Sequence, residues 1–205
     1  MINLVFATSN NHKVKEVNQI LAGAGFNVVT MASIGCLDDI PETQPTIPGN
    51  ALQKAKYLYQ KYQVNCFSED SGLEVDALNG APGVFSARYA AINTRPDPTI
   101  HSDPFQSPVT NNTLLLKNLS HLSNRSARFR TVIALILNGA TYLFEGVCEG
   151  KIAPAETGSK GFGYDPLFIP TGFSTTFAEM DPISKNEISH RGKAFRKMEA
   201  FLKNT

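Results

Sequence analysis

The chain has 205 residues, 42% hydrophobic and 18% charged, with a formal net charge of +1, which suits a soluble globular protein of one domain, or one domain with two lobes. So balanced a charge argues against a protein held to nucleic acid mainly by phosphate neutralisation, though a small anion needs only a few local cations. Cys36, Cys66 and Cys148 lack CxxC or CxxH spacing, the opening MINLVFATSN lacks a signal-peptide pattern, and no apolar run approaches the ~18 residues of a membrane span, so a soluble cytoplasmic protein with reduced thiols, and with no membrane partner, is expected.

Ile2 to Ala7 is an apolar run ending in Thr8-Ser9-Asn10-Asn11, a cluster of turn formers and helix N-caps. Val14, Val17, Ile20, Leu21 and Ala24 then recur at helical spacing, and Phe26 to Met31 reads as a second strand. A polar loop over 35–49 carries Asp38, Asp39 and Glu42, and Asn50 is expected to cap a helix running to about Tyr62. Val64 to Phe67 reads as a strand delivering Ser68-Glu69-Asp70-Ser71-Gly72 at its end, with Leu73, Val75 and Ala77 alternating on a further half-exposed strand. A long surface loop is expected over Ala90 to Pro108, and a helix from about Val109 to His121. Ala127 to Leu137 and Ala140 to Glu149 form a hairpin about Asn138-Gly139. Thr176-x-x-Glu179 has the capping-box pattern, and Asp181-Pro182 starts one terminal helix carrying Ile188, Phe195, Met198 and Leu202. The sum is a mixed α/β domain spanning residues 1–205.

Four short stretches could do chemistry. Thr8, Ser9, Asn10, Asn11, His12 and Lys13 stand between strand and helix, where unpaired amides and a lysine suit a phosphate. A plain N-capped helix with a solvated lysine has the same pattern. Glu69-Asp70-Ser71-Gly72 offers two adjacent carboxylates, the hard oxygen ligands Mg²⁺ takes together with substrate phosphates, and Glu42 could add another. An ordinary acidic turn reads the same way. Gly161-Phe162-Gly163-Tyr164-Asp165-Pro166 could let backbone approach a ligand, with an aromatic to stack and Asp165 to meet a nucleobase edge, and a glycine-rich turn with a core phenylalanine has the same pattern. In Ser189-His190-Arg191-Gly192, with Lys185 one and a half turns earlier, Lys185 and Arg191 flank the apolar seam near Ile188, where cations can line a cleft or simply snorkel to the surface. On one regular helix, however, His190 falls about 200° from Ile188. Together the stretches supply what a Mg²⁺-bound nucleoside triphosphate requires.

LVFATSNNHK (residues 4–13), SEDSGLEVDALNGAPGVFSARY (68–89), GFGYDPLF (161–168) and SHRG (189–192) occur in this order, and the combination resembles the inosine triphosphate pyrophosphatase family. The resemblance implies an elongated, two-lobed mixed α/β fold with its active site in the cleft between lobes, usually a homodimer. It implies Mg²⁺-dependent hydrolysis of ITP, dITP and XTP to the monophosphate and pyrophosphate. By position, Thr8 to Lys13 would hold the triphosphate. Glu42 and Asp70 would bind Mg²⁺, Asp70 would also take the proton of the attacking water, and Glu69 would assist. Ser71 would contact substrate, Phe162 would stack on the purine with Gly163 and Tyr164 beside it, and Asp165, His190 and Arg191 would read its edge. Lys185 would face phosphates or base. The sequence departs from the family at Gly49, where an acid is common. Two other readings stay open: a pyrophosphatase for modified pyrimidine or methylated nucleotides, and a non-catalytic nucleotide-binding module.

Overall fold

A four-residue strand, β1 (Asn3–Phe6), opens the computed structural model, which describes residues 3–21, 23, 25–93 and 110–205. Helix α1 (Asn11–Ile20) follows, begun by Asn10, whose side-chain oxygen accepts the Lys13 amide at 3.3 Å. Strand β2 (Asn27–Thr30) returns parallel to β1, with Asn3 opposite Asn27. Strand β3 (Cys66–Val75) lies on the other side of β1, also parallel, with Val5 opposite Cys66. The strand-turn-helix-strand opening therefore forms as expected. Ile2 and Ala24 lie outside the described residues.

Among the described residues the sheet has six strands in the order β2-β1-β3-β4-β5-β6 and is mixed. Strands β4 (Ser126–Leu137) and β5 (Ala140–Ile152) are joined through Asn138 (φ 51°) and Gly139 (φ 83°). Two consecutive positive φ angles are what a two-residue primed turn needs, so the Asn-Gly signal reports directly on the backbone. The edge strand β6 (Phe168–Pro170) pairs antiparallel with β5 and was not apparent from its three residues.

Three expectations need correction. Helix α2 (Ile47–Tyr62) starts earlier than Asn50, because the Thr46 hydroxyl accepts the Gly49 amide and Pro48 occupies the first turn. Residues 68–72 do not form a turn at a strand end; they are the middle of β3, which runs unbroken for 10 residues. The Thr176/Glu179 pair makes the capping-box bond, Thr176 amide to Glu179 carboxylate at 2.7 Å, in a turn just before the terminal helical region. The terminal helix is two helices, α5 (Pro182–Ile188) and α6 (His190–Lys203), separated at Ser189, whose hydroxyl caps α6 by accepting the Gly192 amide. Between β3 and β4 stand α3 (Tyr89–Asn93) and α4 (Asn111–Asn118). Most of the loop expected from Ala90 onward, and Val109, lie outside the described residues.

The chain divides into two compact units, one of residues 1–71, 129–148 and 182–205, the other of 72–128 and 149–181. In the first, Phe6 stacks on Phe67 (ring centroids 4.5 Å) and Phe195 meets Phe67 edge-on at 5.8 Å. Val17 and Leu21 of α1, Ile133 and Leu135 of β4, and Met198 and Leu202 of α6 close around them. The second unit packs Phe168 on Phe177 at 5.0 Å. Arg125 ties its strands by donating to the carbonyls of Ile152 and Ala153, both at 2.7 Å.

Candidate active site

Because β3 is one continuous strand, Glu69 and Asp70 are neighbours whose side chains leave it on alternate sides. That separation divides the first unit's charged residues into two groups.

Glu69 is 1% exposed and holds Arg191 by a two-pronged ion pair, Nε to Oε2 at 2.8 Å and Nη2 to Oε1 at 2.9 Å. Lys13, from the first turn of α1, reaches the same carboxylate at 3.1 Å. Arg191 also pairs with Glu16, which Lys185 meets at 2.7 Å. Burial alone would raise the Glu69 carboxyl, but Arg191 and Lys13 outweigh it and hold it well below the ordinary range. Glu16 is lowered in the same way: burial opposes, and Arg191 and Lys185 prevail. Burial lowers the Lys13 ammonium, against the pull of Glu69.

The break at Ser189 resolves the angular conflict in the sequence. His190 and Arg191 open a new helix and so are not bound to the angle a continuous one would impose on them. His190 is buried and lies flat on Phe129, ring centroids 4.6 Å apart and planes 11° from parallel. Burial, with Arg191 and Lys185 adding to it, pushes its pKa well below the ordinary value, so the imidazole is neutral. Ser71, on the strand between these groups, pairs its hydroxyl with that of Thr131 at 2.6 Å.

The second group centres on Lys54 of α2. Its ammonium lies 2.5 Å from Glu42 Oε1 and 3.4 Å from Asp70 Oδ1. Burial raises the Asp70 carboxyl above its ordinary value, with Lys54 and Lys13 opposing. Its second oxygen, Oδ2, is buried and has no hydrogen-bond partner among the described residues. A buried carboxylate oxygen left unsatisfied is costly and calls for an explanation. Two carboxylates, one with an unused oxygen, fit a hard divalent cation that completes its shell with phosphate oxygens and water. At Gly49 a Cβ would meet Gln44 Cβ at 2.8 Å and Thr46 Oγ1 at 2.9 Å, so a side chain there would disturb the cap of α2.

The expected phosphate loop has Thr8 accepting the Asn10 amide at 3.1 Å, with Ser9 and Asn10 exposed. The side chains of Asn11 and His12 lie outside the described residues. In the second unit, Asp165 Oδ2 accepts the Phe162 amide at 2.8 Å, leaving the Phe162 ring half-buried. Gly161 (φ 74°) must be glycine, since a Cβ would run into that carboxylate. Tyr164 is buried, donating its hydroxyl to the Ser86 carbonyl at 3.0 Å, and the Gly163 carbonyl accepts from Asn112 at 3.1 Å. Asp165 and Tyr164 thus build the turn that presents Phe162.

Lys13, Ser71, Lys185, His190, Arg191, Glu42 and Asp70 all belong to the first unit; Phe162, Gly163, Tyr164 and Asp165 belong to the second. Two functional candidates escaped the sequence reading, Glu16 and Lys54. Each is a charged helix residue whose partners come from distant sequence. The one available signal for Lys54 was its place among the apolar positions Ala51, Ala55 and Leu58.

A six-strand mixed sheet with helices α1 to α6 defines a mixed α/β protein, and its first unit holds buried carboxylates paired with lysines and an arginine. The family model of the Ham1 family matches residues 4–201, and the chain belongs to that family. A dITP/XTP pyrophosphatase of Porphyromonas gingivalis is 47% identical over 203 residues, covering 98% of both chains. One from Flavobacterium johnsoniae is 45% identical over 197 residues, covering 96% of each. A solved structure of a Ham1 protein from Coxiella burnetii superposes with a TM-score of 0.85 at 35% identity and full coverage of both chains.

Proposed function

We propose that this chain hydrolyses non-standard purine nucleoside triphosphates, ITP, dITP and XTP, to the monophosphate and pyrophosphate. The carrying observation is Asp70, a buried carboxylate with one oxygen near Lys54 and the other unpartnered among the described residues. The similarity to dITP/XTP pyrophosphatases along 96–98% of the chain supports the substrate class.

Glu42 and Asp70 would hold Mg²⁺, which when bound supplies neutralisation of charge developing on the phosphates. Asp70 accepts the proton of the attacking water. The water oxygen bonds to the α-phosphorus, and the α–β bridging oxygen leaves with its electron pair on pyrophosphate. Lys13 and Lys54 place two further cations at the phosphates, and the first turn of α1 offers amides to them. Phe162 stacks on the purine, its turn set by Asp165. His190 and Arg191 are assigned the 6-keto oxygen, which accepts where adenine carries an amino donor. A site that requires that hydrogen bond rejects adenine strongly. The same reading places the enzyme in the cytosol as a homodimer, without nucleic-acid or membrane partners. The balanced charge supports the part of it that concerns nucleic acid.

The test is pyrophosphate release from ITP, XTP, dITP, GTP and ATP with and without Mg²⁺, for the natural chain and Asp70→Asn. Metal-dependent cleavage of the first three, lowered at least about 100-fold in D70N, is expected. Equal cleavage of all five would discard the base-edge assignments. No cleavage, with binding retained in D70N, would favour a nucleotide-binding module.

A further inference from the structure

The segment before α2 that carries Glu42 has no regular secondary structure, yet it is fastened to α2 rung by rung. Asp38 accepts from Tyr57 Oη at 3.1 Å and from Lys61 Nζ at 2.5 Å. Glu42 meets Lys54. The Thr43 amide donates to Gln53 Oε1 at 2.9 Å, and Gln53 Nε2 donates back to Thr43 Oγ1 at 2.8 Å. The Gln44 amide donates to Asn50 Oδ1 at 2.9 Å.

The order of these rungs matters. Loop residues 38, 42, 43 and 44 meet helix residues 57/61, 54, 53 and 50, so the loop runs antiparallel along one polar stripe of α2. Positions 50, 53, 54, 57 and 61 fall on a single face at helical spacing. Lys54, in the middle of that stripe, is the residue that also reaches Asp70. Gln53 differs from the other rungs in spending both ends of its amide on one residue, the neighbour of Glu42. Two opposed hydrogen bonds fix Thr43 in translation and rotation, and with it the direction in which the Glu42 side chain leaves the backbone.

We propose that Gln53 is a positioning residue, holding the Glu42 loop on α2 so that Glu42 and Asp70 together receive a divalent cation. This rests on the reading of Glu42 and Asp70 as the metal-holding pair. Gln53 acts through the loop: both ends of its side-chain amide bond to Thr43, and it contributes no charge to the site. Groups that orient metal ligands from behind typically matter by roughly 10-fold to 100-fold in metal affinity.

The experiment is a Mn²⁺ titration followed by electron paramagnetic resonance on the full chain, comparing the natural protein with Gln53→Met, Gln53→Glu, Glu42→Gln and Asp70→Asn. Q53M keeps the length of the side chain and loses both bonds; Q53E keeps the acceptor for the Thr43 amide. Expected are a roughly 10-fold weaker Mn²⁺ affinity in Q53M, an intermediate loss in Q53E, and the largest losses in E42Q and D70N. Amide exchange at Thr43 and Gln44 should quicken in Q53M at an unchanged melting temperature. Natural affinity in Q53M, with E42Q and D70N impaired, overturns the positioning role alone. Natural affinity in E42Q and D70N as well overturns the metal reading beneath it. Thr43→Val, which removes one of the two bonds without adding bulk, makes the same comparison if Q53M does not fold.

Discussion

Glu69 is completely enclosed, its side chain 0% exposed, so its charge depends on the cations around it. Arg191 supplies the two-pronged partner and is itself 3% exposed. Removing one member of a buried pair leaves the other uncompensated, which costs about 3–5 kcal/mol. Arg191→Met should therefore lower stability by about that amount in urea unfolding. Arg191→Lys should also destabilise, by less, because a lysine keeps the charge but cannot make the fork that spans both Glu69 oxygens. If R191K unfolds at the natural urea midpoint, the fork contributes nothing and the charge alone suffices. At this scale dense local motifs are what made Lys13, Glu69, Asp70, His190 and Arg191 candidates, but not what each would meet: Glu69, expected to assist Asp70, is paired with Arg191 and Lys13. The sequence was not readable at Glu16 and Lys54. A charged residue on an amphipathic helix looks solvated until the fold brings Lys185 and Arg191 to the first, and Glu42 and Asp70 to the second.

The first turn of α6, which carries His190 and Arg191, is packed backbone to backbone against β5. Gly146 of β5 lies against the start of α6, where an added Cβ would run into the His190 carbonyl oxygen and stand 2.6 Å from the Ala194 nitrogen. Both neighbours are helix backbone, which cannot step aside as a side-chain tip can. Gly146→Ala should thus push α6 from β5 and cost about 1–3 kcal/mol, as overpacking does. A melting temperature equal to that of the natural chain would show that the helix yields freely. Elements with strong local chemistry were legible: the Asn-Gly hairpin, the Asn10 cap and the α1 stripe. The Ser189 break and the unbroken β3 were not. A serine inside a periodic apolar pattern gives no warning that it will cap a second helix. A Ser-Glu-Asp-Ser-Gly run has turn composition, and only pairing within the sheet keeps it extended.

Across the whole molecule the charges nearly cancel, at +1, yet their placement is far from even. Glu16 and Glu69 are both held below the ordinary glutamate value of 4.5 by buried cations. A carboxyl lowered in the folded state contributes stability that is complete above its unfolded value and lost as pH falls through the folded one. Asp70 acts in the opposite sense. Its raised carboxyl is a cost when ionised, and that cost disappears as the group takes up its proton on acidification. Glu16 and Glu69, with the exposed Asp38 lowered as well, against the one raised carboxyl of Asp70 favour a net loss of stability that sets in below about pH 4.5, where the unfolded chain takes up protons first. The loss is complete once the folded Glu16 and Glu69 are protonated and no longer face Arg191 and Lys185 as anions. Glu16→Gln separates this network from ordinary acid repulsion. It should reduce stability at pH 7, where the natural Glu16 is ionised and paired, and should flatten the decline on acidification because one titrating partner is gone. Urea midpoints of both proteins from pH 7 to pH 3 measure the two effects together. The curves should converge toward low pH. Parallel curves would mean that Glu16 stabilises by packing alone, and that the network around Arg191 is not what acid dismantles first.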